Sequence, residues 1–153
     1  MQADHAFTLR CLKIDWEPNM HHVGHPIIDE QHQELVRIGN VLVELAQQTP
    51  MAGREEMLEQ FRLFQQVLTR HLKFEESLLA TAISEAALEE HNKGHRKFEQ
   101  FVHSIVEGVE CKSDPTQCII EILQFTNHHI FIDDFTLVDE FRALHRDQEK
   151  RSA

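Results

Sequence analysis

The chain of 153 residues has no tyrosine and one tryptophan, and it contains only 5 glycines and 4 prolines. Phenylalanine occurs 10 times, so its aromatic side chains are expected mainly in packing. No apolar run approaches the roughly 20 residues that a membrane-spanning helix needs. The N-terminal segment is interrupted by charges and lacks the apolar stretch of a signal peptide. These absences predict one soluble domain with a single hydrophobic core.

Cysteine is also scarce, with three residues and no CxxC pair. This excludes a disulfide framework or a zinc knuckle, and it predicts reduced thiols in a cytoplasmic protein (Cys11, Cys111, Cys118). A formal charge of −11 argues against binding nucleic acid or anionic membranes. Histidine, in contrast, is abundant, with 12 copies against 15 for lysine and arginine together.

The apolar pattern divides the chain into three parts. Residues 1–26 form an arm that is irregular by composition, residues 27–146 carry four helical apolar stripes, and residues 147–153 form a charged tail. The tail is either a frayed end or the start of a linker. Ser84 and Pro115 mark the starts of the third and fourth helices, with Asp114 or Ser113 as the second cap. Four amphipathic helices with short connections predict an all-α, antiparallel, up-down-up-down four-helix bundle.

Histidines and carboxylates interrupt these stripes at one-turn spacing. In an up-and-down bundle these side chains fall at the same height along the bundle axis. They are His32, His71, Glu75, His91, His95, His129 and either Asp133 or Asp134. A single inward histidine is usually a hydrogen-bonded core residue, and a lone His/Glu pair is usually a surface pairing. Seven such groups in one layer are not explained in that way. The other histidines are expected to be solvated, although His25 lies at the same end of the bundle (His5, His21, His22, His25, His103, His128, His145).

Burying this many imidazoles and carboxylates is costly without a compensating partner, and the donor set suits metal ions. Tetrahedral zinc would leave several donors unused. Two octahedral ions offer about twelve positions, and eleven are filled by the histidines, two bridging carboxylates and one shared oxygen. A redox-capable pair with one open position among apolar side chains predicts reversible dioxygen binding. The Glu-x-x-His motifs of oxygen-activating bundles are absent.

The combined motifs resemble the hemerythrin family in its bacterial form, over roughly Trp16 to Leu144. The resemblance rests on Asp29-Glu30-Gln31-His32, His71-x-x-x-Glu75-Glu76, His91-x-x-x-His95-x-x-Phe98 and His129-Ile130-x-x-x-Asp134-Phe135. It implies that Asp134, and not Asp133, is the ligand. It further implies one iron on His91, His95 and His129, a second on His32 and His71, and bridges from Glu75 and Asp134. An oxo or hydroxo bridge and dioxygen as a reversible ligand complete the implied centre.

The chain departs from the family's usual residues at His25, Leu72, Leu79 and Gly94, none of which is an implied ligand. The function predicted first is a dioxygen or redox sensor domain of a bacterial signalling protein, without catalytic activity of its own. A free-standing oxygen carrier or store is the alternative, followed by iron storage or peroxide detoxification and by a purely structural bundle. A C-terminal output domain and a homodimer are left open as partners.

Overall fold

The computed structural model describes residues 2–48, 53–108 and 114–153, and over these ranges the chain is all-helical. This confirms the predicted all-α class. The α-helices are α1 (Gln2–Leu12), α2 (Pro18–His21), α3 (Pro26–Gln47), α4 (Arg54–Leu79), α5 (Glu85–Val106), α6 (Pro115–His128) and α7 (Val138–Ser152). Between α6 and α7 lie a π-helical turn (His129–Asp134) and a 3₁₀ turn (Phe135–Leu137).

Local sequence signals explain where the long helices begin. The Ser84 hydroxyl accepts a hydrogen bond from the Ala87 N–H at 3.2 Å and caps α5. The Asp114 carboxylate accepts from the Thr116 and Gln117 N–H groups and caps α6, with Pro115 at the first helical position. Of the two cap residues that the sequence offered for α6, the described residues therefore identify Asp114.

The long helices α3, α4, α5 and α6 form a bundle in which α3 contacts α4 and α6, and α5 contacts the same two helices. Their apolar stripes meet in one large cluster that includes Leu35, Phe64, Leu68, Phe98 and Leu123, all at most 3 % exposed. Burying side chains of this size contributes about 1.5–3 kcal/mol each, so this cluster dominates the stability of the bundle.

A second, smaller apolar cluster closes one end of the bundle. Its members come from the segment before α3, from α3, from the end of α4 and from α7 (Val23, Ile28, Leu78, Leu79, Phe141). Along α3, His32 lies between the two clusters, and along α4 the same is true of Glu75, with His71 at the edge of the larger cluster. The candidate ligands therefore occupy a polar layer between two apolar ones.

The N-terminal arm is helical where we expected irregular chain. Helix α1 packs against α6 and α3, and the Asn40 side chain bonds both the Ile14 N–H and the Ile14 carbonyl. Leu9 is 2 % exposed and belongs to the main core. The prediction failed because α1 has almost no sequence periodicity, so its packing partner decides its conformation.

Two further expectations are corrected. The fourth predicted helix is not continuous, because the π turn and the 3₁₀ turn separate α6 from α7. The expectation of three reduced thiols is wrong for Cys118, which is disulfide-bonded, whereas Cys11 is free and exposed. The partner of Cys118 lies outside the described residues. In the described ranges, no helix combines the length and apolarity of a membrane span.

Candidate metal centre

Four segments bring the predicted ligands together. Helix α3 supplies one histidine, α4 a histidine and a glutamate, α5 two histidines, and the π turn a histidine and an aspartate (His32; His71, Glu75; His91, His95; His129, Asp134). Their donor atoms form two overlapping groups, and within each group all atoms lie within 4.8 Å of one another. Six of the seven side chains are at most 4 % exposed, and His91 reaches 9 %.

Glu75 is a shared neighbour of four imidazoles. Its Oε2 atom lies 3.2 Å from His95 Nε2 and 3.4 Å from His91 Nε2. The same oxygen lies 3.6 Å from His129 Nε2 and 3.8 Å from His71 Nε2. A carboxylate oxygen that lies within 4 Å of four imidazole nitrogens can share a metal site with all of them.

Asp134 makes a second set of contacts with the imidazoles. Its Oδ2 atom lies 2.7 Å from His32 Nε2 and 3.0 Å from His129 Nε2. His71 Nε2 is 3.7 Å from the same oxygen, and His91 Nε2 is 3.8 Å from Oδ1. All five imidazoles therefore turn the same ring nitrogen towards the two carboxylates.

The π turn explains why the aspartate follows its histidine by five residues. In an α-helix, residues five apart point about 140° away from each other, since each residue turns by about 100°. A π turn closes i→i+5 hydrogen bonds, so residues five apart lie on one face. His129 and Asp134 consequently share the inward face, whereas His128 and Asp133 share an outward face and contact each other at 3.2 Å. Of the two aspartates between which the α-helical period could not choose, Asp134 is therefore the one that faces inward.

The pKa values of both carboxylates in the cluster, Glu75 and Asp134, are lowered. Burial and the neighbouring Asp134 raise the pKa of Glu75, but the surrounding imidazoles outweigh both and lower it to about 2. Burial opposes ionisation of Asp134 as well, yet His129 and its hydrogen bonds hold the pKa of Asp134 well below its usual range. Both carboxylates therefore stay ionised inside the protein, as bridging ligands must.

The pKa values of two of the imidazoles, His71 and His129, are shifted in opposite directions. Burial lowers the pKa of His71 to about 4, so its Nε2 lone pair is free near neutral pH. Burial also disfavours charged His129, but Asp134 outweighs this and raises the pKa of His129 to about 9. This pattern agrees with the 2.9 Å contact in which His129 Nε2 faces His71 Nε2, because a charged ring donates to a neutral one. His129 must release its proton before it can bind a metal ion.

Two orienting side chains were not singled out from the sequence. His71 Nδ1–H donates to Gln31 Oε1 at 3.0 Å, and His95 Nδ1–H donates to Glu76 Oε1 at the same distance. Each bond fixes the tautomer that leaves Nε2 facing the carboxylates. The signal was present, because Gln31 and Glu76 each adjoin a ligand in sequence (His32 and Glu75). Asp29 was also passed over, and its carboxylate accepts from two backbone N–H groups of the preceding loop.

Several polar atoms of the clustered side chains lack a hydrogen-bond partner. Among the described side chains these include Glu75 Oε1, Asp134 Oδ1, His95 Nε2 and His32 Nδ1, all fully buried. An unsatisfied buried polar atom costs about 1–3 kcal/mol, so their accumulation in one layer requires a compensating group. Mixed imidazole and carboxylate donors suit divalent iron, and the residues present therefore fit a pair of metal ions.

The remaining histidines mostly lie away from the centre. His22, His103 and His128 are exposed, in agreement with the prediction, and the side chain of His5 lies outside the described residues. His25 is a correction, because it is 1 % exposed and not solvated. It packs between Phe74 and His145 where the chain enters α3, and its Nε2 contacts Gln148 Oε1 at 3.2 Å. This packing depends on α7, whose position could not be known from the sequence.

Comparison with known proteins agrees with this donor set. Neither curated proteins nor solved structures give a significant match to the chain. A family model described as "Hemerythrin HHE cation binding domain" matches residues 23–141. This range contains all seven predicted ligands and ends within α7. The chain therefore belongs to the hemerythrin family.

Proposed function

We propose that this chain is a non-haem di-iron domain that binds dioxygen reversibly and serves as an oxygen or redox sensor of a bacterial signalling protein. The observation that carries the proposal is the convergence of five Nε2 atoms on two ionised carboxylates, Glu75 and Asp134. Five imidazoles and two carboxylates fill eleven of about twelve positions once a shared oxygen is included. One position then remains for a small neutral ligand.

We infer the following ligand division and helix directions. His91, His95 and His129 hold one iron, His32 and His71 hold the other, and Glu75 and Asp134 bridge them. Contacts between the late part of α4 and the early part of α5, such as Glu75 with His91, support an antiparallel up-and-down arrangement. The contact of His32 near the start of α3 with Asp134 after α6 supports the same order.

The iron pair would supply two electrons and an open coordination position, and the protein supplies the surroundings. Apolar layers above and below the ligands exclude bulk water and favour a neutral diatomic over hydrated anions. Gln31 and Glu76 hold His71 and His95 in the ligating tautomer. The His-rich set carries less negative charge than a carboxylate-rich centre, which favours binding over oxygen activation. We therefore assign no enzymatic activity to this domain.

One feature of the chain favours a sensor over a carrier. The π turn that contains His129 and Asp134 is followed by a single 3₁₀ turn and then by α7. Helix α7 is fixed to α4 and to the entry of α3 through buried Phe141. We infer that a small change at Asp134 would be transmitted along this short, ordered segment to α7. A carrier needs no such connection.

The metal assignment is tested by iron counting and by absorption spectra recorded with and without oxygen. We expect about two irons per chain and a spectrum that changes reversibly on oxygenation. His71→Ala and Glu75→Ala should lose iron, whereas His103→Ala, which removes an exposed histidine outside the cluster, should retain it. A well-folded wild-type chain that takes up no iron would refute the proposal.

The choice between sensor and carrier is tested by hydrogen exchange of the iron-loaded chain with and without oxygen. A sensor predicts altered exchange in α7, and a carrier predicts changes confined to the ligand segments. Peroxide consumption over many turnovers would instead favour the detoxification alternative. The cytoplasmic location and an output domain following α7 stay part of this proposal.

A further inference from the structure

A groove on the outside of the bundle reaches the metal ligands. It lies between α5 and the turns that follow α6, and it has a volume of about 690 Å³. His91 and His129 line its inner end, and Gly94, His128 and Asp133 line its outer part. We call it the α5–π-turn groove. Three other described cavities have no candidate ligand in their lining.

We propose that this groove is the route by which ferrous ion reaches the buried centre, and that His128 and Asp133 act as its transient first ligands. The proposal rests on the di-iron site proposed above but concerns residues outside it. A hydrated cation cannot cross a packed apolar layer without a large desolvation cost, so it needs a path with polar groups. Dioxygen, which is small and apolar, does not need one.

His91 lies at the inner end of the groove. The side chain of His91 is 9 % exposed, more than that of any other candidate ligand. Its Nε2 atom already lies 3.4 Å from Glu75 Oε2. An ion that arrives at His91 is therefore in contact range of a bridging carboxylate.

His128 and Asp133 lie at the outer end of the groove. His128 Nδ1 lies 3.2 Å from Asp133 Oδ2, and their side chains are 64 % and 35 % exposed. In this contact the carboxylate oxygen accepts from His128 Nδ1–H, and in that tautomer Nε2 is the ring nitrogen that can ligate a metal ion. This is the arrangement in which a carboxylate orients a metal-binding imidazole. The π turn creates it, since it places both residues on the outward face.

Gly94 forms part of the wall of the groove. Gly94 lies between His91 and His95 on α5, where a glycine costs about 1 kcal/mol relative to alanine. An added Cβ would meet only Asp133 Oδ2, at 4.0 Å, so the position faces the groove and not a packed neighbour. Alanine would therefore fit at this position, whereas a longer side chain would project into the groove.

Local charge does not by itself attract a cation here. The rim contains Glu90 and Asp133 but also Lys93 and Lys97, and Lys93 is paired with Glu90 at 2.8 Å. Capture must therefore depend on the donor atoms of His128 and Asp133. The formal charge of −11 on the whole chain adds a general attraction for cations at longer range.

The test measures the rate of iron uptake by the full chain prepared without metal. Ferrous ion is added under anaerobic conditions, and the iron that remains accessible to a ferrous chelator is followed with time. His128→Gln and Asp133→Asn should each slow uptake by about tenfold, comparable with removing the partner of a ligating imidazole. Final iron content and unfolding temperature should stay unchanged. His103→Gln and Glu149→Gln, matched changes at exposed positions away from the groove, should load at the wild-type rate.

Substitutions at Gly94 test separately whether the groove must be open for iron to enter. Gly94→Leu should slow loading because its side chain fills the groove, and Gly94→Ala should not, since its Cβ has room. Both residues favour helix over glycine, so a difference between them is not an effect of helix stability. Wild-type rates in His128→Gln, Asp133→Asn and Gly94→Leu would overturn the route, as would loss of final iron content. A wild-type chain that binds no iron would refute the di-iron function itself.

Discussion

Gln31 offers the sharpest single test of how the centre is organised. Gln31 is buried, and its Oε1 accepts the Nδ1–H of His71 at 3.0 Å. Gln31→Leu keeps the size of the side chain but removes the acceptor. His71 Nδ1–H is then left buried without a partner, which costs about 1–3 kcal/mol of unfolding free energy. The imidazole also loses the bond that fixes its orientation, which lowers metal affinity by about 10- to 100-fold.

Two further variants separate this effect from a general loss of packing. Gln31→Glu retains an acceptor for His71 Nδ1–H, so we expect iron affinity within about threefold of wild type, well below the loss of about 10- to 100-fold that a lost orienting bond causes. Gln33→Leu makes the same chemical change at an exposed position of α3 and should alter neither property. Affinity is measured by competition with a chelator, and stability by urea unfolding of the metal-free chain. Iron binding by Gln31→Leu as tight as that by Gln33→Leu would contradict the orienting role of Gln31.

Three other predictions concern the loop before α3, the charged histidine and the core. Asp29→Ala removes the acceptor of two loop N–H groups, that of Val23 in a buried bond and that of Gly24 in a partly buried one, and should destabilise the chain by about 2 kcal/mol in urea unfolding. In the metal-free chain, raising the pH from 6 to 9.5 should lower the unfolding free energy by up to about 3 kcal/mol. The pKa of His129 is raised to about 9 in the folded protein, so this imidazole is still charged there at a pH where the same imidazole in the unfolded chain has lost its proton. This stabilisation is complete below pH 6.5 and is lost as the pH rises through 9. The iron-loaded chain should lack the effect. A stability of the metal-free chain that does not change with pH would contradict a charged His129. Phe64→Ala, at a fully buried core position, should cost about 3–5 kcal/mol, and a loss below 1 kcal/mol would contradict the described packing.

The long helices could be predicted because their signals are local. Apolar residues recur with the helical period along α3, α4 and α5, and Ser84 and Asp114 cap helices at the expected positions. The convergence of the candidate ligands followed from the same period, since short connections leave few ways to arrange four helices. Helix α1 could not be predicted in this way, because it depends on contacts with α6 and α3.

The groove and the hydrogen bonds that orient the imidazoles could not be predicted from the sequence. His128 and Asp133 carry no apolar period, and only the π turn brings them together on the outward face. His25 was expected in solvent because its burial depends on α7. Each of these features joins segments whose separation in space the sequence does not specify.

By itself, the sequence determined that the chain is helical, that its donors lie on inward faces and that they are too many for one ion. Periodicity and ligand chemistry suffice for those conclusions, because both act within a turn or two of helix. Tertiary structure decided which aspartate faces inward, which side chains orient the imidazoles and where the centre opens to solvent. These depend on a six-residue π turn and on contacts between distant segments, and such contacts form only when the helices pack.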